Sequence, residues 1–160
     1  MYMKGTLSLS MALNKWYKRY LKLAAEVATW SKDPNTKVGA VVVGSKGQIL
    51  SQGYNGFPRG IVDSPKRLND RDLKLSLVVH AEMNAIYNAT YSGVSLDKAT
   101  IFIYGLPACS ECAKGIIQVG IKKVVVSKEC IEQRPHWNDS WKKSVAMFAE
   151  AGISVFTVDE

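Results

Sequence analysis

Segments with two different hydrophobic patterns follow one another along the chain, one pattern typical of helices and the other of buried strands. Over residues 16–30 the apolar side chains recur at helical spacing. Residues 38–43 form an unbroken apolar run, which predicts a buried strand. The glycine-containing turn at 44–47 leads into a second predicted strand at 48–54, so the two strands are expected to form a hairpin.

The remaining elements decide the topology. Helices are predicted at 80–91, 109–119 and 138–151, and strands at 100–104, 122–127 and 153–158. Because a helix separates the last two strands, they are expected to pair in parallel. The order α-β-β-α-β-α-β-α-β predicts an α/β fold with three layers, α/β/α, around one mixed five-stranded sheet.

Two stretches lack periodicity. The polar residues 55–74 are expected to form an elaborated loop with one helical turn. Residues 1–13 are expected to be a loosely ordered lead-in, so that a single domain occupies 14–160.

Composition places the chain among ordinary globular proteins. Hydrophobic residues make up 47% and charged residues 22% of the 160, so one domain can bury a core without disulfides. No apolar run approaches the roughly 18 residues that span a bilayer, and the N-terminus lacks the apolar stretch of a signal peptide. Three cysteines, two of them three residues apart, suit metal binding in a reducing compartment. We therefore expect a cytoplasmic protein with no membrane partner.

The formal net charge of +7 favours an anionic partner, either a phosphorylated substrate or a nucleic acid. A basic surface kept for solubility explains the same charge.

The residues with the strongest chemical signal are His80, Glu82, Cys109 and Cys112. A catalytic zinc site has three protein ligands of nitrogen or sulfur and one open position, and the histidine and two cysteines supply those ligands. Cys109 and Cys112 are one helical turn apart at a predicted helix N-terminus, where the helix dipole favours thiolates. Zinc lowers the pKa of a bound water to about 7, and Glu82 is expected to act as general base and then general acid.

A structural zinc site with four protein ligands is the alternative, with Cys130 or His136 as the fourth ligand. A structural zinc site would give Glu82 no chemical role. Cys130 is otherwise expected to be a buried apolar side chain, and His136 a structural or solvent-facing one. Trp137 is expected to pack, with stacking over the mouth of a pocket as the alternative.

An HxE motif followed by PxCxxC is similar to the pattern of zinc nucleobase deaminases. Four separated segments extend the similarity: 31–40, 53–60, 79–86 and 109–114. On these segments the chain resembles the deoxycytidylate (dCMP) deaminases of the cytidine deaminase superfamily. The resemblance implies a cytidine-deaminase-like fold, one Zn²⁺ per chain, and hydrolysis of dCMP to dUMP and ammonia. One departure is that the pattern places proline directly before the first cysteine, whereas Ala108 stands between Pro107 and Cys109 here.

The resemblance also implies substrate contacts. Asn55 matches an asparagine that holds the sugar hydroxyl, although a turn-forming role explains it too. Backbone groups around Ala40 and at Ala81 are expected to meet the pyrimidine. The candidates for the phosphate are Lys32, Asn35 and Arg59, because they flank the matched segments. The cations of the elaborated loop, Lys66, Arg67 and Arg71, are interpreted as solvated surface charges.

Members of the resembled family form hexamers and are commonly activated by dCTP and inhibited by dTTP. The resemblance places an allosteric pocket around Gly53, Tyr54, Asn55 and Gly56, with Mg²⁺ accompanying a triphosphate effector.

Three other functions are compatible with the sequence. A deaminase of a base in tRNA or single-stranded DNA would use the same zinc chemistry, but the basic residues here are interleaved with acidic ones and form no long tail. A deaminase of a modified or triphosphorylated deoxycytidine nucleotide would differ only in pocket shape. A non-catalytic zinc fold is disfavoured because Glu82 is intact.

Overall fold

The computed structural model describes residues 10–160. The strands are β1 (Gly39–Val43), β2 (Ile49–Tyr54), β3 (Thr100–Tyr104), β4 (Lys123–Ser127) and β5 (Ser154–Val158). The helices are α1 (Met11–Ala28), α2 (Pro65–Asn69), α3 (Arg71–Leu77), α4 (Ala81–Tyr91), α5 (Ser110–Gln118), α6 (Lys128–Glu132) and α7 (Asn138–Glu150). A short 3₁₀ turn, Pro135–Trp137, precedes α7.

The five strands form one mixed sheet in the order β2-β1-β3-β4-β5. Strand β1 pairs antiparallel with both β2 and β3. Strands β3, β4 and β5 are parallel to one another, each reached through a helical crossover. The predicted five-stranded mixed sheet with a parallel final pair is therefore confirmed.

Alternation along the strands divides the core into two layers. In β1, Ala40 and Val42 belong to the cluster that includes residues of α4, α5 and α7. Val41 and Val43 belong to the other cluster, which contains Tyr17 and further residues of α1. Because successive strand side chains point to opposite faces, α1 covers one face of the sheet, and α4, α5 and α7 cover the opposite face. The predicted three-layer α/β/α arrangement is confirmed.

The first helix begins earlier than its apolar pattern suggested. It starts at Met11 rather than Trp16, and the Ser10 hydroxyl accepts a hydrogen bond from the Leu13 amide at 3.2 Å. The added residues are exposed, so they carry no buried periodic stripe. Part of the expected lead-in at 1–13 is therefore helical, while residues 1–9 lie outside the described residues. The single domain over 14–160 stays a prediction.

The segment expected to be a loop with one helical turn contains two helices. Ser64 caps α2, which has Pro65 in its first turn, and Asp70 caps α3 through a 3.1 Å bond from the Leu73 amide. The prediction of a loop was wrong because these helices bury no apolar face, so periodicity cannot reveal them. The capping residues were the available signal.

Helix α6 was also missed, since its five residues are too few for a periodic pattern.

Within residues 10–160, no helix is both long enough and apolar enough to cross a membrane.

Gly53 allows α4 to lie directly on β2. A β-carbon at this position would come within 2.6 Å of the Ala81 carbonyl oxygen and closer still to the Ala85 amide nitrogen. Real side chains do not tolerate such contacts with backbone atoms, so only glycine fits between the strand and the first turns of the helix. The height of α4 above the sheet is thereby fixed.

We expect Gly53→Ala to lower the free energy of unfolding by about 1–3 kcal/mol, since the helix must move away from the sheet. Urea unfolding followed by circular dichroism measures this. Gly56→Ala is the matched control, because its β-carbon would meet only the Tyr54 ring at 3.8 Å. Equal stability of the two variants would contradict the packing role of Gly53.

Candidate zinc centre and active site

Three potential metal ligands converge between α4 and α5. The Nδ1 atom of His80 lies 3.5 Å from Cys109 Sγ and 3.4 Å from Cys112 Sγ, and all three donor atoms lie within 4.8 Å of one another. In a tetrahedral site with Zn–N of about 2.0–2.1 Å and Zn–S of about 2.3 Å, nitrogen and sulfur stand roughly 3.5 Å apart. The donor set and its spacing therefore fit a zinc ion.

Two helix N-termini create this convergence. His80 is the residue before the first turn of α4, and Cys109 occupies the same position before α5. The Cys109 sulfur accepts a hydrogen bond from the Cys112 amide at 3.4 Å. Both cysteines thus lie at the positive end of a helix dipole, which favours their ionised forms as metal ligands.

The two thiols differ in acidity. The Cys112 thiol donates to Cys109 and lowers its pKa to about 4, with His80 and the Cys112 amide acting in the same direction against burial. The same contact with Cys109, together with burial, raises the pKa of Cys112. The hydrogen bond to Cys109 raises the pKa of His80 against the effect of burial. Of the two sulfurs, Cys109 is therefore the more acidic.

Glu82 lies beside this centre in the first turn of α4. Its side chain is buried, with 3% of the residue exposed, and burial raises the pKa of its carboxyl. It lines the same cavity as His80 and Cys109. A buried carboxyl whose pKa is raised holds a proton more readily than an exposed one, which suits a group that takes up and releases protons.

The turn that carries Cys109 is braced from the C-terminal part of the chain. The Trp137 indole N–H donates to the Pro107 carbonyl at 2.9 Å, and the Ser144 hydroxyl donates to the Ala108 carbonyl at 2.8 Å. These bonds fix the turn where the family pattern has a proline directly before the cysteine. Trp137 thus has a hydrogen-bonding role in addition to the packing expected of it.

Ser140 completes the brace, because its hydroxyl accepts from the Ser110 amide at 2.9 Å. Both Ser140 and Ser144 escaped the sequence analysis, since serines on a helix carry no signal that distinguishes an anchor from a surface residue.

A cavity of about 320 Å³ opens onto Glu82 and the metal-ligand cluster. Besides the starts of α4 and α5, its walls come from the segment after α1, the end of β2 at Asn55, the α3 region, and the segment before α7. Its polar and charged lining residues are Asp33, Asn35, Thr36, Asn55, Arg71, Lys74, His80, Glu82, Arg134 and His136. The cavity therefore joins a proton-transfer group and a metal centre to several cationic side chains.

Arg71 and His136 are exposed, in agreement with their interpretation as a solvated charge and a solvent-facing residue, but both also line the cavity. The sequence analysis did not consider Arg134. The signal for Arg134 and His136 as cavity residues was the cluster of arginine, histidine and tryptophan around Pro135, in a stretch without periodicity.

The structure brings some of the expected substrate residues to this cavity and leaves others outside it. Asn35, Asn55 and Ala81 line it. Ala40 is fully buried in β1 and is not among its lining residues. Lys32 is 3.1 Å from Asp63 in an exposed ion pair and lines a second, smaller cavity instead.

Arg59, the third phosphate candidate, is also outside the cavity lining. It donates to the Asn88 side chain and lies 5.4 Å from the centre of the exposed Tyr91 ring. Although Arg59 flanks a matched segment, it does not line the cavity, because its guanidinium group lies against Asn88 and Tyr91 of α4.

Asn55 is largely engaged with the backbone. Its side-chain oxygen accepts from the Val38 amide at 2.9 Å, and its amide group donates to the Thr36 carbonyl at 2.9 Å. The side chain therefore clamps the residues that lead into β1. One N–H of its amide group is left to meet a ligand, so the expected sugar contact stays a prediction.

The segment expected to form an allosteric pocket borders the second cavity, which has a volume of about 110 Å³. Tyr54, Asn55 and Gly56 line it, and Tyr54 packs edge to face against Trp30. Gly53 is not among its lining residues, and the contact with α4 accounts for its identity.

Cys130 lies apart from the metal-ligand cluster. It is buried and accepts from the Gly105 amide at 3.2 Å, as expected of a structural thiol. Among the described residues, the cluster consists of His80, Cys109 and Cys112. Neither Cys130 nor His136 joins it as a fourth ligand.

A three-layer α/β fold, a three-ligand zinc centre and a buried glutamate beside it define a hydrolytic zinc deaminase. Residues 14–128 match the family model described as the cytidine and deoxycytidylate deaminase zinc-binding region, and the chain belongs to this family. The similarity read from the sequence motifs is confirmed.

Individual relatives cover most of the chain. An uncharacterised deaminase from the luxG 3′ region of Aliivibrio fischeri is 37% identical over 143 residues, 89% of this chain and 93% of that protein. Human deoxycytidylate deaminase is 37% identical over 145 residues, 88% of this chain and 78% of the human protein. The crystal structure of apo dCMP deaminase from cyanophage S-TIM5 superposes with a TM-score of 0.67 at 26% identity, covering 93% of this chain and 99% of that one.

We expect Cys112→Ala to abolish stable zinc binding, because two ligands remain where a catalytic centre needs three. Glu82→Gln is the matched control, since it changes a cavity residue that is not a ligand. It should keep about one zinc per chain while losing most turnover. Elemental analysis of both purified proteins checks the metal content. Full zinc occupancy in Cys112→Ala would overturn the ligand assignment.

Proposed function

We propose that this deaminase hydrolyses dCMP to dUMP and ammonia. The observation that carries the proposal is one cavity that contains both the zinc centre with Glu82 and the cations Arg71 and Arg134. Its volume of about 320 Å³ suits a small molecule of nucleotide size.

The cations favour a substrate with a negatively charged end. Arg71 and Arg134 line the cavity together with His136, whereas the acid Asp33 is neutralised by Lys74 at 3.2 Å. Guanidinium groups bind phosphate through paired, charge-assisted hydrogen bonds. We therefore assign the phosphate to Arg71 and Arg134 in place of Lys32 and Arg59. Asn35, which also lines the cavity, remains a candidate.

The names of the relatives support the same substrate. The human protein, 37% identical, is a deoxycytidylate deaminase. A deoxycytidylate deaminase from phage T4 is 31% identical over 177 aligned positions, 86% of this chain and 87% of the phage protein.

The residues can be assigned to the steps of the reaction. The chemistry that zinc supplies in a centre of this kind is the activation of water at neutral pH. Glu82 accepts a proton from the attacking water and delivers it to the ring nitrogen beside C4. After the C4–O bond has formed, Glu82 takes the remaining proton from the new C4 hydroxyl and transfers it to the leaving amine. Cleavage of the C4–N bond then releases ammonia and leaves the C4 carbonyl of dUMP.

Other cavity residues hold the substrate during these steps. Ala81 lines the cavity next to Glu82, and its backbone is assigned to the pyrimidine. The remaining N–H of the Asn55 amide group is assigned to the sugar hydroxyl. Trp137, which lines the cavity, helps to exclude water from it.

The substrate is tested by steady-state kinetics with dCMP, CMP, deoxycytidine, dCTP, 5-substituted dCMP and a cytosine-containing single strand. We expect dCMP to have the highest kcat/KM. Arg71→Met should lower kcat/KM for dCMP by about 10- to 100-fold, as expected for loss of a charged hydrogen bond, while barely affecting deoxycytidine. Arg19→Met, on the opposite face of the sheet, is the matched control.

Other outcomes would redirect the assignment. Preference for dCTP or a 5-substituted nucleotide would favour a deaminase of triphosphorylated or modified substrates. Turnover of only the strand would favour a nucleic-acid deaminase. A loss of dCMP turnover in Arg59→Met but not in Arg71→Met would return the phosphate to the residue suggested by the family resemblance.

We further propose that dCTP and dTTP regulate the enzyme at the second cavity, with Mg²⁺ accompanying the triphosphate. That cavity is lined by Tyr54 and Gly56, and it shares Asn55 and Lys74 with the cavity of the zinc centre. At subsaturating dCMP, dCTP should raise and dTTP should lower the rate. An unchanged rate with both would exclude regulation.

We also propose a homo-oligomer, a hexamer by the family resemblance, that works in the cytoplasm. Exposed aromatic residues on α4, Tyr87 and Tyr91, offer apolar surface for subunit contacts. A reducing cytoplasm would keep Cys109 and Cys112 available as metal ligands.

A further inference from the structure

In the long connection that leads from β2 to α4, a lysine is the one buried residue after Asn55. Every residue from Gly56 to His80 is exposed or partly exposed except Lys74, which is 7% exposed. Helix α2 buries no side chain, and α3 buries only this one. Buried apolar side chains therefore do not anchor this segment. The one buried position of α3, where an apolar residue such as leucine is usual, is occupied by a lysine.

The partner of Lys74 is Asp33, in the loop that follows α1. Its carboxylate accepts from Lys74 Nζ at 3.2 Å, from the Asn35 amide at 2.8 Å and from the Thr36 amide at 3.0 Å. Burial alone raises the pKa of Asp33, but these three donors outweigh it and leave the pKa below its ordinary value. The Asp33 carboxyl is therefore ionised at neutral pH, and the side chains of Asp33 and Lys74 are paired and about nine-tenths buried.

The ion pair joins two walls of the cavity that holds the zinc centre. On one side, Asn35 and Thr36 follow Asp33 in the loop and line the cavity. On the other side, Arg71 and Leu75 flank Lys74 on α3 and line it too. The distance between the two walls therefore depends on this contact.

Stability alone is a weak reason for such a pair. Removing two charges from water costs free energy that their attraction barely repays, and apolar replacements of buried pairs are often neutral or stabilising. A pair that docks an otherwise exposed helix in one orientation has a clearer use, because a charged contact is directional and an apolar one is not.

We propose that Asp33 and Lys74 are positioning residues that dock α3 so that Arg71 faces the substrate phosphate. This inference rests on the proposed function, since it concerns the residue assigned there to the phosphate. Lys74 acts through Arg71 and does not itself bind the substrate.

A double-mutant cycle on kcat/KM for dCMP tests the proposal. Lys74→Met and Arg71→Met should each lower kcat/KM at least about 10-fold, mainly by raising KM. The double variant should lose less than about 3-fold beyond Arg71→Met, because residues that act through one another are not additive. Losses that multiply in the double variant would show that Lys74 acts independently, and would overturn the proposal.

The control removes a different tether of the same segment. Asp63→Asn breaks the exposed pair with Lys32, which should contribute little, so its kcat and KM should stay within about 2-fold of the wild type. An equal rise of KM in Asp63→Asn would show a general sensitivity of the segment, which contradicts a specific role for Lys74.

A second variant guards against misfolding. In Asp33→Asn/Lys74→Met no charge is left buried alone, and the side-chain oxygen of the introduced asparagine can still accept from the two loop amides. The melting temperature should recover relative to Lys74→Met, while KM for dCMP should remain high. Recovery of KM together with stability would show that the pair is merely structural.

Hydrogen exchange separates this inference from the proposed function. The amides of α3 should exchange faster in Lys74→Met than in the wild type or in Asp63→Asn, whichever substrate the enzyme uses. If the wild-type enzyme does not turn over dCMP, the proposed function is wrong, but the exchange rates of the α3 amides still test the docking role of Lys74. Unchanged exchange in α3 would overturn the docking role by itself.

Discussion

The structure depends on the meeting of two helix N-termini at one point. A three-ligand zinc centre needs a nitrogen and two sulfurs within a few ångströms, and here α4 supplies His80 while α5 supplies Cys109 and Cys112. Neither helix can shift along the sheet without separating the donors. The close contact of α4 with β2 at Gly53 fixes one helix. The bonds from Trp137 and Ser144 to the turn before Cys109 fix the other.

The centre and the walls of the cavity are held by different forces. The metal ligands and Glu82 lie on helices that share the main hydrophobic cluster with the sheet. The wall formed by α3 is docked by one buried ion pair, and the wall around Arg134 to Trp137 lies outside the 14–128 region that matches the family. The metal-ligand cluster and Glu82 therefore lie on the packed scaffold, and the cationic lining of the cavity lies on segments attached to it.

This division explains what the sequence could and could not predict. The sheet was predictable because β1, β3 and β4 are apolar runs buried from both sides. The zinc ligands were predictable because histidine and cysteine at that spacing have few other uses. Helices α2 and α3 bury no apolar stripe, so their pattern resembles that of a loop. The contribution of Arg71 and Arg134 to the cavity was not predicted, because an arginine that lines a cavity and an arginine on the open surface have the same sequence pattern. Only the fold shows that both line one cavity.

The exposed character of the β2–α4 connection has an evolutionary consequence. From Gly56 to His80 the only buried side chain belongs to an ion pair, and such a segment tolerates changes in length and composition as long as the pair or an equivalent contact survives. Such changes leave the hydrophobic clusters around the sheet untouched. Variation in this connection would therefore reshape the cavity wall that carries Arg71 while the helices that carry His80, Glu82 and the two cysteines stay in place.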